Sequence, residues 1–157
     1  MKPQVSETRC KRVWYGVNAK VTVGPGFIHK TGLGGLVIPH PPAANWLLRL
    51  SLPEEQGCNL SFAHEFAHFQ TAPMLFVYGV VLVVLANVMD RPGLAETFFL
   101  FVNMQAAWEL MSEGMVVLED TAAYRSSYKG VTKLPRFLFW ALGAMLTAAG
   151  WVIVLHR

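Results

Sequence analysis

Apolar residues gather in three long segments in the second half of the chain. Two of these segments, residues 71–89 and 137–155, contain no charged residue. Each is close to the roughly 20 residues that a helix needs to cross a hydrocarbon core of about 30 Å. A chain of 157 residues is too small to bury two such helices in a soluble core, so both are predicted to span a membrane.

The segment between them, residues 94–120, is also apolar but carries several polar residues. At the helical period, these residues fall on one side of a helix, within an arc of roughly 100°. They are Gln105, Glu109, Ser112, Glu113 and Asp120. Such a helix crosses a bilayer only where its polar stripe faces protein, water or a metal. The alternative is an amphipathic helix that lies on the membrane surface.

The positions of lysine and arginine favour three spans over two. With three spans, the N-terminal region and the linker 124–136 lie on one side of the membrane and hold most of the positive charge. Because cytoplasmic segments carry an excess of Lys and Arg, the N-terminus is predicted to be cytoplasmic. The predicted fold class is mainly α, an integral membrane bundle of about three transmembrane helices. They cover about residues 60–89, 94–125 and 136–156 within a helical domain, 59–157.

Residues 1–58 differ from the rest of the chain. The segments RVWYGVNAKVTV and GGLVIP contain β-favouring residues separated by Gly and Pro. They predict a small N-terminal cap that is β-rich or irregular. This region is a candidate to offer an edge strand to an extended peptide, and disruption of KVTV would test that hypothesis. The N-terminus lacks the continuous apolar core of a signal peptide, so membrane insertion is expected to depend on the internal spans.

Composition agrees with a membrane protein and removes two other classes. Charged residues are 15% of the chain, against roughly a quarter in soluble domains. The net charge is +3, but the basic residues flank apolar spans and form no face interleaved with aromatics. No nucleic-acid partner is therefore expected. Cys10 and Cys58 form no CxxC pair, which excludes a cysteine-based zinc site.

The motif HEFAH carries the candidate chemistry. It places His64, Glu65 and His68 directly before the first apolar segment. Two histidines four apart lie on the same face of a helix, so both imidazoles can bind one ion. Glu65 is then placed to accept a proton from a water molecule at that ion. The motif predicts a metal site at one end of the first span.

The connection between the first two helices brings the polar stripe to the same end. If the chain folds back near residues 90–93, His68 lies opposite about residue 115, and His64 lies opposite about residue 119. The segment ELMSE, residues 109–113, therefore arrives near HEFAH. Glu109 and Glu113 are both candidates for the third ligand that a catalytic zinc site requires.

HEFAH followed by ELMSE resembles the two motifs of the gluzincin metalloproteases, which include thermolysin and membrane-bound prenyl-protein endopeptidases. The resemblance implies a zinc ion held by His64, His68 and Glu109, with Glu65 as general base. It also implies that Ser112 is the small residue of the second motif and that Glu113 orients a ligand imidazole. That acid is usually Asp in the family, and the longer arm of Glu113 leaves it open as the ligand itself.

The expected activity is hydrolysis of peptide bonds in a membrane-associated polypeptide, near the cytoplasmic face of the bilayer. Tyr124 is a candidate donor to the oxyanion that develops during that reaction. Two alternatives remain. Glu65 and His68 also form the ExxH pair of carboxylate-bridged di-iron proteins, and a non-catalytic membrane adaptor would use the polar stripe for interhelical hydrogen bonds. A chain this small is also expected to need a partner or a second copy to enclose the site.

Overall fold

The computed structural model describes residues 7–24, 27–31, 36–39, 54–89, 92–126 and 133–156, and most of them are helical. The first helix, α1, begins ahead of the predicted start near residue 60, so the predicted domain boundary after residue 58 falls inside it. The helices are α1 Glu54–Met89, α2 Leu94–Glu119, α3 Thr121–Ser126 and α4 Lys133–Leu155.

The N-terminal part forms a small antiparallel sheet. Its strands follow one another in the order β1-β2-β3-β4, so each pairs with its neighbour in the chain. KVTV lies in β2, between β1 and β3, so it is not itself an edge strand. The edges of the described sheet are β1 and β4, and peptide binding at an edge stays a prediction. Because β2 exchanges hydrogen bonds on both sides, the edge beside it is β1. The strands are β1 Glu7–Arg12, β2 Asn18–Gly24, β3 Phe27–Thr31 and β4 Leu36–Pro39.

The sheet packs on the first third of α1 through an apolar cluster. Ala19 and Val21 of β2 are fully buried there. They pack with three phenylalanines of α1, namely Phe62, Phe66 and Phe69. Burial of this surface stabilises the contact by about 25 cal/mol for each Å² removed from water. The sheet therefore fixes the face of α1 that points away from the histidines.

Pro73 lies inside α1, and the hairpin between β1 and β2 compensates for it. A proline has no N–H, so Pro73 cannot donate to the carbonyl of Phe69 four residues earlier. The hydroxyl of Tyr15 donates to that carbonyl instead, at 2.7 Å. The indole Nε1 of Trp14 donates to the next carbonyl, that of Gln70, at 2.9 Å. The β-hairpin thus satisfies backbone groups that the proline leaves exposed.

The three long helices form a bundle in which α2 packs along both α1 and α4. Two glycines of α4 allow close approach to α2. A Cβ at Gly143 would meet Leu110 at 2.8 Å, and a Cβ at Gly150 would overlap the amide of Asn103. Small residues at such contacts are typical of helices that pack within membranes.

Asn103 links all three helices at the level of Gly150. The Tyr78 hydroxyl of α1 donates to Asn103 Oδ1 at 2.6 Å. Asn103 Nδ2 donates to the carbonyls of Thr147 at 2.7 Å and Leu146 at 3.2 Å, both in α4. The side chain is fully buried, so this contact also selects the register of the three helices.

Many large apolar side chains of the bundle face outward, including Phe76, Val88, Phe98, Phe137 and Met145. Two helical segments are long and apolar enough to cross a membrane, Phe62–Val88 and Phe137–Leu155. The mainly helical class of the prediction is therefore confirmed, and so is the presence of two candidate spans. The three-span arrangement stays a prediction.

The predicted second helix, 94–125, is interrupted. At Asp120 the backbone leaves the helical conformation, with φ −145° and ψ 75°. The hydroxyl of Thr121 donates to the carbonyl of Val117 at 2.7 Å, which satisfies one of the last acceptors of α2. The short helix α3 then begins at Thr121 and turns Tyr124 back toward α2.

Candidate metal centre

The site lies between α1 and α2, close to the end of the bundle that carries the sheet. Because His64 and His68 are one turn apart, both rings point toward α2. His68 is 5% exposed, and the adjacent Glu65 is 8% exposed. The opposite wall comes from α2, where Glu109 and Glu113 are also one turn apart and share a face.

Three side chains converge on one point. His64 Nε2 lies 3.1 Å from His68 Nε2 and 3.2 Å from Glu109 Oε2. His68 Nε2 lies 3.5 Å from Glu109 Oε1. Zinc bonds of about 2.0–2.1 Å in a tetrahedral site place neighbouring ligand atoms about 3.3 Å apart. These three residues form a group that could hold a metal ion, and their spacing fits the edges of such a site.

The proton of the His68 ring can be located from its neighbours. The Thr71 hydroxyl donates its single proton to the carbonyl of Ala67 at 2.8 Å. In the 3.2 Å contact between Thr71 and Ser112, the donor is therefore the Ser112 hydroxyl. Ser112 must then accept from His68 Nδ1, at 2.9 Å. In the neutral ring, this leaves a lone pair on Nε2, directed at the convergence point.

Glu113 contacts the other side of His64. Its Oε2 accepts a hydrogen bond from His64 Nδ1 at 2.8 Å, whereas Glu109 faces Nε2. A carboxylate behind a ligand imidazole fixes the ring orientation and increases its basicity. Of the two candidates left open for the third ligand, Glu109 belongs to the group that could hold a metal, and Glu113 supports the ring of His64.

The convergence point gathers electron-pair donors. With neutral rings, it receives the lone pairs of two imidazole nitrogens and one side of a carboxylate. Such a set repels itself unless a cation, either a proton or a metal ion, lies among its members. Two imidazoles and a carboxylate are a donor set that suits zinc in catalytic sites, where a fourth position remains for water. The residues therefore fit a zinc ion.

Two residues at the site were not singled out by the motifs. Trp108 packs edge-on against the ring of His68, with centroids 4.8 Å apart, and its Nε1 donates to the His68 carbonyl at 3.3 Å. Thr71 fixes the direction of the Ser112 hydroxyl. A tryptophan next to Glu109 was a visible signal in the sequence, whereas nothing in the sequence distinguished Thr71.

Two features of the site differ from the sequence-based predictions: the contact made by Tyr124 and the register between α1 and α2. Tyr124 was a candidate donor to an oxyanion, but its hydroxyl donates to Glu113 Oε1 at 2.7 Å and is buried. The fold-back predicted partners near residues 115 and 119, but the contacts lie at residues 109 to 113, between one and two turns nearer the connection. Side-chain reach and the packing of one helix into the grooves of the other set this register.

Comparisons with protein-family profiles, with curated proteins and with solved structures return no match to this chain. The geometry of the site therefore carries the functional argument.

Proposed function

We propose that this chain is an integral membrane zinc metallopeptidase with a gluzincin-like site. The observation that supports it is the convergence of His64, His68 and Glu109 at distances of 3.1–3.5 Å. In this proposal those three residues hold the zinc ion, Glu113 orients the ring of His64, and Glu65 is the general base. The proposal includes the third span, which the isolated sequence of α2 does not establish.

Two properties of α2 support a third span. Its 26 residues correspond to a length of about 39 Å, more than the roughly 30 Å of a hydrocarbon core. Its side chains Leu94, Phe98 and Phe101 are exposed, as expected of a surface that faces lipid. The distribution of Lys and Arg supports a cytoplasmic N-terminus, which puts the sheet and the site on the cytoplasmic side.

In the proposed mechanism, a zinc ion held by His64, His68 and Glu109 would supply a Lewis acid and would make a water molecule more acidic. Glu65 would accept a proton from the attacking water molecule as the water oxygen bonds to the carbonyl carbon of the peptide bond. As the C–N bond breaks, Glu65 returns the proton to the leaving nitrogen. His64 and His68 keep their Nε2 lone pairs directed at the site because Glu113 and Ser112 accept hydrogen bonds from their Nδ1 atoms.

An apolar groove supports a membrane-embedded polypeptide as the substrate. The groove has a volume of about 520 Å³ and is lined by Ala72, Phe76, Gly79, Val83 and Met104, among others. The four groove residues of α1 follow Glu65 at intervals of seven, four, three and four residues. At this spacing they lie on the same face of the helix as Glu65. The groove therefore continues, along the first span, the face of α1 that carries Glu65, the proposed general base.

The metal proposal is tested by measuring metal in the detergent-purified protein. We expect about one zinc per chain in the wild type, none in His64→Ala, and unchanged zinc in Glu65→Gln. Glu65→Gln should also abolish cleavage of a quenched-fluorescent peptide library. Two irons per chain would instead indicate the di-iron alternative. A metal-free wild type would contradict the zinc proposal and favour the non-catalytic adaptor.

The groove is tested with a matched pair of valines. Val83 is 50% exposed in the groove, and Val152 is 53% exposed on α4. A labelled peptide with an 18-residue Leu/Ala span should bind Val83→Trp about tenfold more weakly than Val152→Trp, because overpacking a fitted contact costs about 1–3 kcal/mol. Equal binding would indicate lipid in the groove, and loss of a dimer in Val83→Trp would indicate a second copy.

A further inference from the structure

Three hydrogen bonds in series connect every helix of the described structure. Trp140 Nε1 of α4 donates to the Tyr124 hydroxyl of α3 at 2.9 Å. That hydroxyl donates to Glu113 Oε1 of α2 at 2.7 Å. Glu113 Oε2 then accepts from His64 Nδ1 of α1 at 2.8 Å. We call these four residues the tryptophan–histidine relay.

The chemistry of its first member fixes the direction of the relay. An indole Nε1 can only donate, so the Tyr124 oxygen must accept from Trp140. The single hydroxyl proton of Tyr124 is then free to go to Glu113. Since Glu113 receives this proton donor on one oxygen and the His64 ring on the other, its carboxylate acts as acceptor on both sides. The Nδ1 of His64 therefore carries the donated proton.

The break in the helix at Asp120 makes this arrangement possible. Glu113 and Tyr124 are eleven residues apart, which corresponds to about 16 Å along a continuous α-helix. Their side chains would not meet over that distance. Because α2 ends at Glu119 and α3 turns back, the Tyr124 hydroxyl reaches Glu113, with the two residues 5% and 7% exposed. Hydrogen bonds in such surroundings are costly to leave unmade.

We infer that Tyr124 and Trp140 are positioning residues of the metal centre. They hold the Glu113 carboxylate behind His64, so docking of α4 through Trp140 sets how firmly the site holds a metal. The inference rests on the proposed function for its metal, and it adds two residues that the HEFAH and ELMSE motifs do not contain. It also gives α4 a role at the site, which lies between the other two long helices.

The first experiment measures zinc affinity in a double-mutant cycle, by competition with a chromophoric chelator. Loss of a partner behind a metal ligand typically lowers affinity about 10–100-fold, and we expect Tyr124→Phe to fall in that range. Trp140→Phe should lower affinity by a smaller factor. Because Trp140 acts through the Tyr124 hydroxyl, Trp140→Phe should have no further effect in the Tyr124→Phe background.

Trp151 provides the matched control for this cycle. It lies on the same helix and packs edge-on against Tyr78, with ring centroids 5.8 Å apart, away from the site. Trp151→Phe should leave zinc affinity unchanged. The inference is overturned if Trp140→Phe and Trp151→Phe have the same effect, or if Trp140→Phe lowers affinity equally with and without the Tyr124 hydroxyl.

A second measurement needs no metal. In ¹⁵N-histidine protein, the Nδ1–H proton of His64 should give a downfield, slowly exchanging NMR signal because it is bonded to Glu113. Tyr124→Phe and Trp140→Phe should shift or broaden this signal, and Trp151→Phe should not. If the two variants change the signal although the wild type binds no zinc, the proposed function fails and the relay stands. An unchanged signal in both variants would overturn the relay even where zinc binds.

Discussion

Two polar clusters within the described helices place polar side chains between α1 and α2 for different purposes. In the first cluster, both polar atoms of the Asn103 side chain have a hydrogen-bond partner. Its Oδ1 accepts from Tyr78, and its Nδ2 donates to carbonyls of α4. Around His64, two ring nitrogens and the Glu109 carboxylate, all acceptors when the rings are neutral, face one another. The first cluster is complete within the protein. The second requires a cation.

The two clusters differ in whether their donors and acceptors are balanced within the protein. A buried amide that balances its donors and acceptors stabilises helix packing and offers nothing to a ligand. A surplus of acceptors in the same surroundings is unfavourable until a cation occupies it. Breaking each cluster in turn should therefore have different consequences, one for metal binding and the other for stability.

The largest effect is expected from Glu109→Gln. This change removes the negative charge and a ligand oxygen while keeping the shape of the side chain, so zinc affinity should fall by more than about 100-fold. Glu113→Gln should fall within the range of about 10–100-fold that is typical for partners behind a ligand. Zinc dissociation constants measured by chelator competition would show the difference.

The free energy of unfolding should fall more in Glu113→Gln, whose buried carboxylate accepts two hydrogen bonds, than in Glu109→Gln, whose side chain is more exposed. Zinc is therefore compared per folded chain. If Glu113→Gln loses the metal and Glu109→Gln keeps it, Glu113 is the ligand and the assignment of the two carboxylates is reversed.

An intermediate effect is expected at the Asn103 cluster. A methyl group at Gly150 would overlap the Asn103 amide, so Gly150→Ala should lower the free energy of unfolding by about 1–3 kcal/mol. Gly114 of α2 has open space around it, and Gly114→Ala should raise that free energy by about 0.5–1 kcal/mol. Unfolding in mixed micelles would measure both.

Both glycine variants should keep about one zinc per folded chain. Loss of zinc from folded Gly150→Ala, with Gly114→Ala unaffected, would mean that the two clusters are coupled and that the comparison between them is too simple.

The smallest effect is expected from an ion pair at the surface. Lys11 Nζ of β1 lies 2.9 Å from Glu119 Oε1 at the end of α2. Burial raises the pKa of Glu119, but hydrogen bonds from Lys11 and Gln70 and the charge of Lys11 outweigh it and hold the pKa below its usual value. The pair therefore stabilises the fold above the ordinary Glu pKa, and this contribution disappears as the pH falls through the lowered pKa.

Because the pair is about one-third exposed, its contribution should be about 0–1 kcal/mol. Melting temperatures of the wild type and Glu119→Gln should therefore converge as the pH is lowered from 7 toward 3. A constant difference over that interval would show that Glu119 does not act through its charge.

The sequence predicted the helical elements better than their boundaries. Two uncharged segments of membrane length identify two of the helices from composition alone. The break at Asp120 had no signal in the hydrophobic pattern, because the segment remains apolar on both sides of it. The strand pairing of the cap was also beyond the sequence, since β-favouring residues do not reveal which strand lies at an edge.

The sequence also identified three residues that meet at the candidate metal centre, His64, His68 and Glu109. The spacing of HEFAH brings two imidazoles together on any regular helix. Whether Glu109 or Glu113 faces Nε2 depends on the register between two helices, which residue spacing alone leaves uncertain by a turn. Thr71, Tyr124 and Trp140 act through contacts between distant segments, so their roles appear only in three dimensions.

The hairpin donors beside Pro73 have a consequence for how the protein is made. A carbonyl without a partner is costly inside a bilayer, and the carbonyl of Phe69 depends on Tyr15 for its hydrogen bond. The hairpin is synthesised before α1, because Tyr15 precedes Phe69 in the chain. Its donors are thus already present when the proline-containing helix is synthesised, and they can cover the carbonyls of Phe69 and Gln70 as soon as that helix forms.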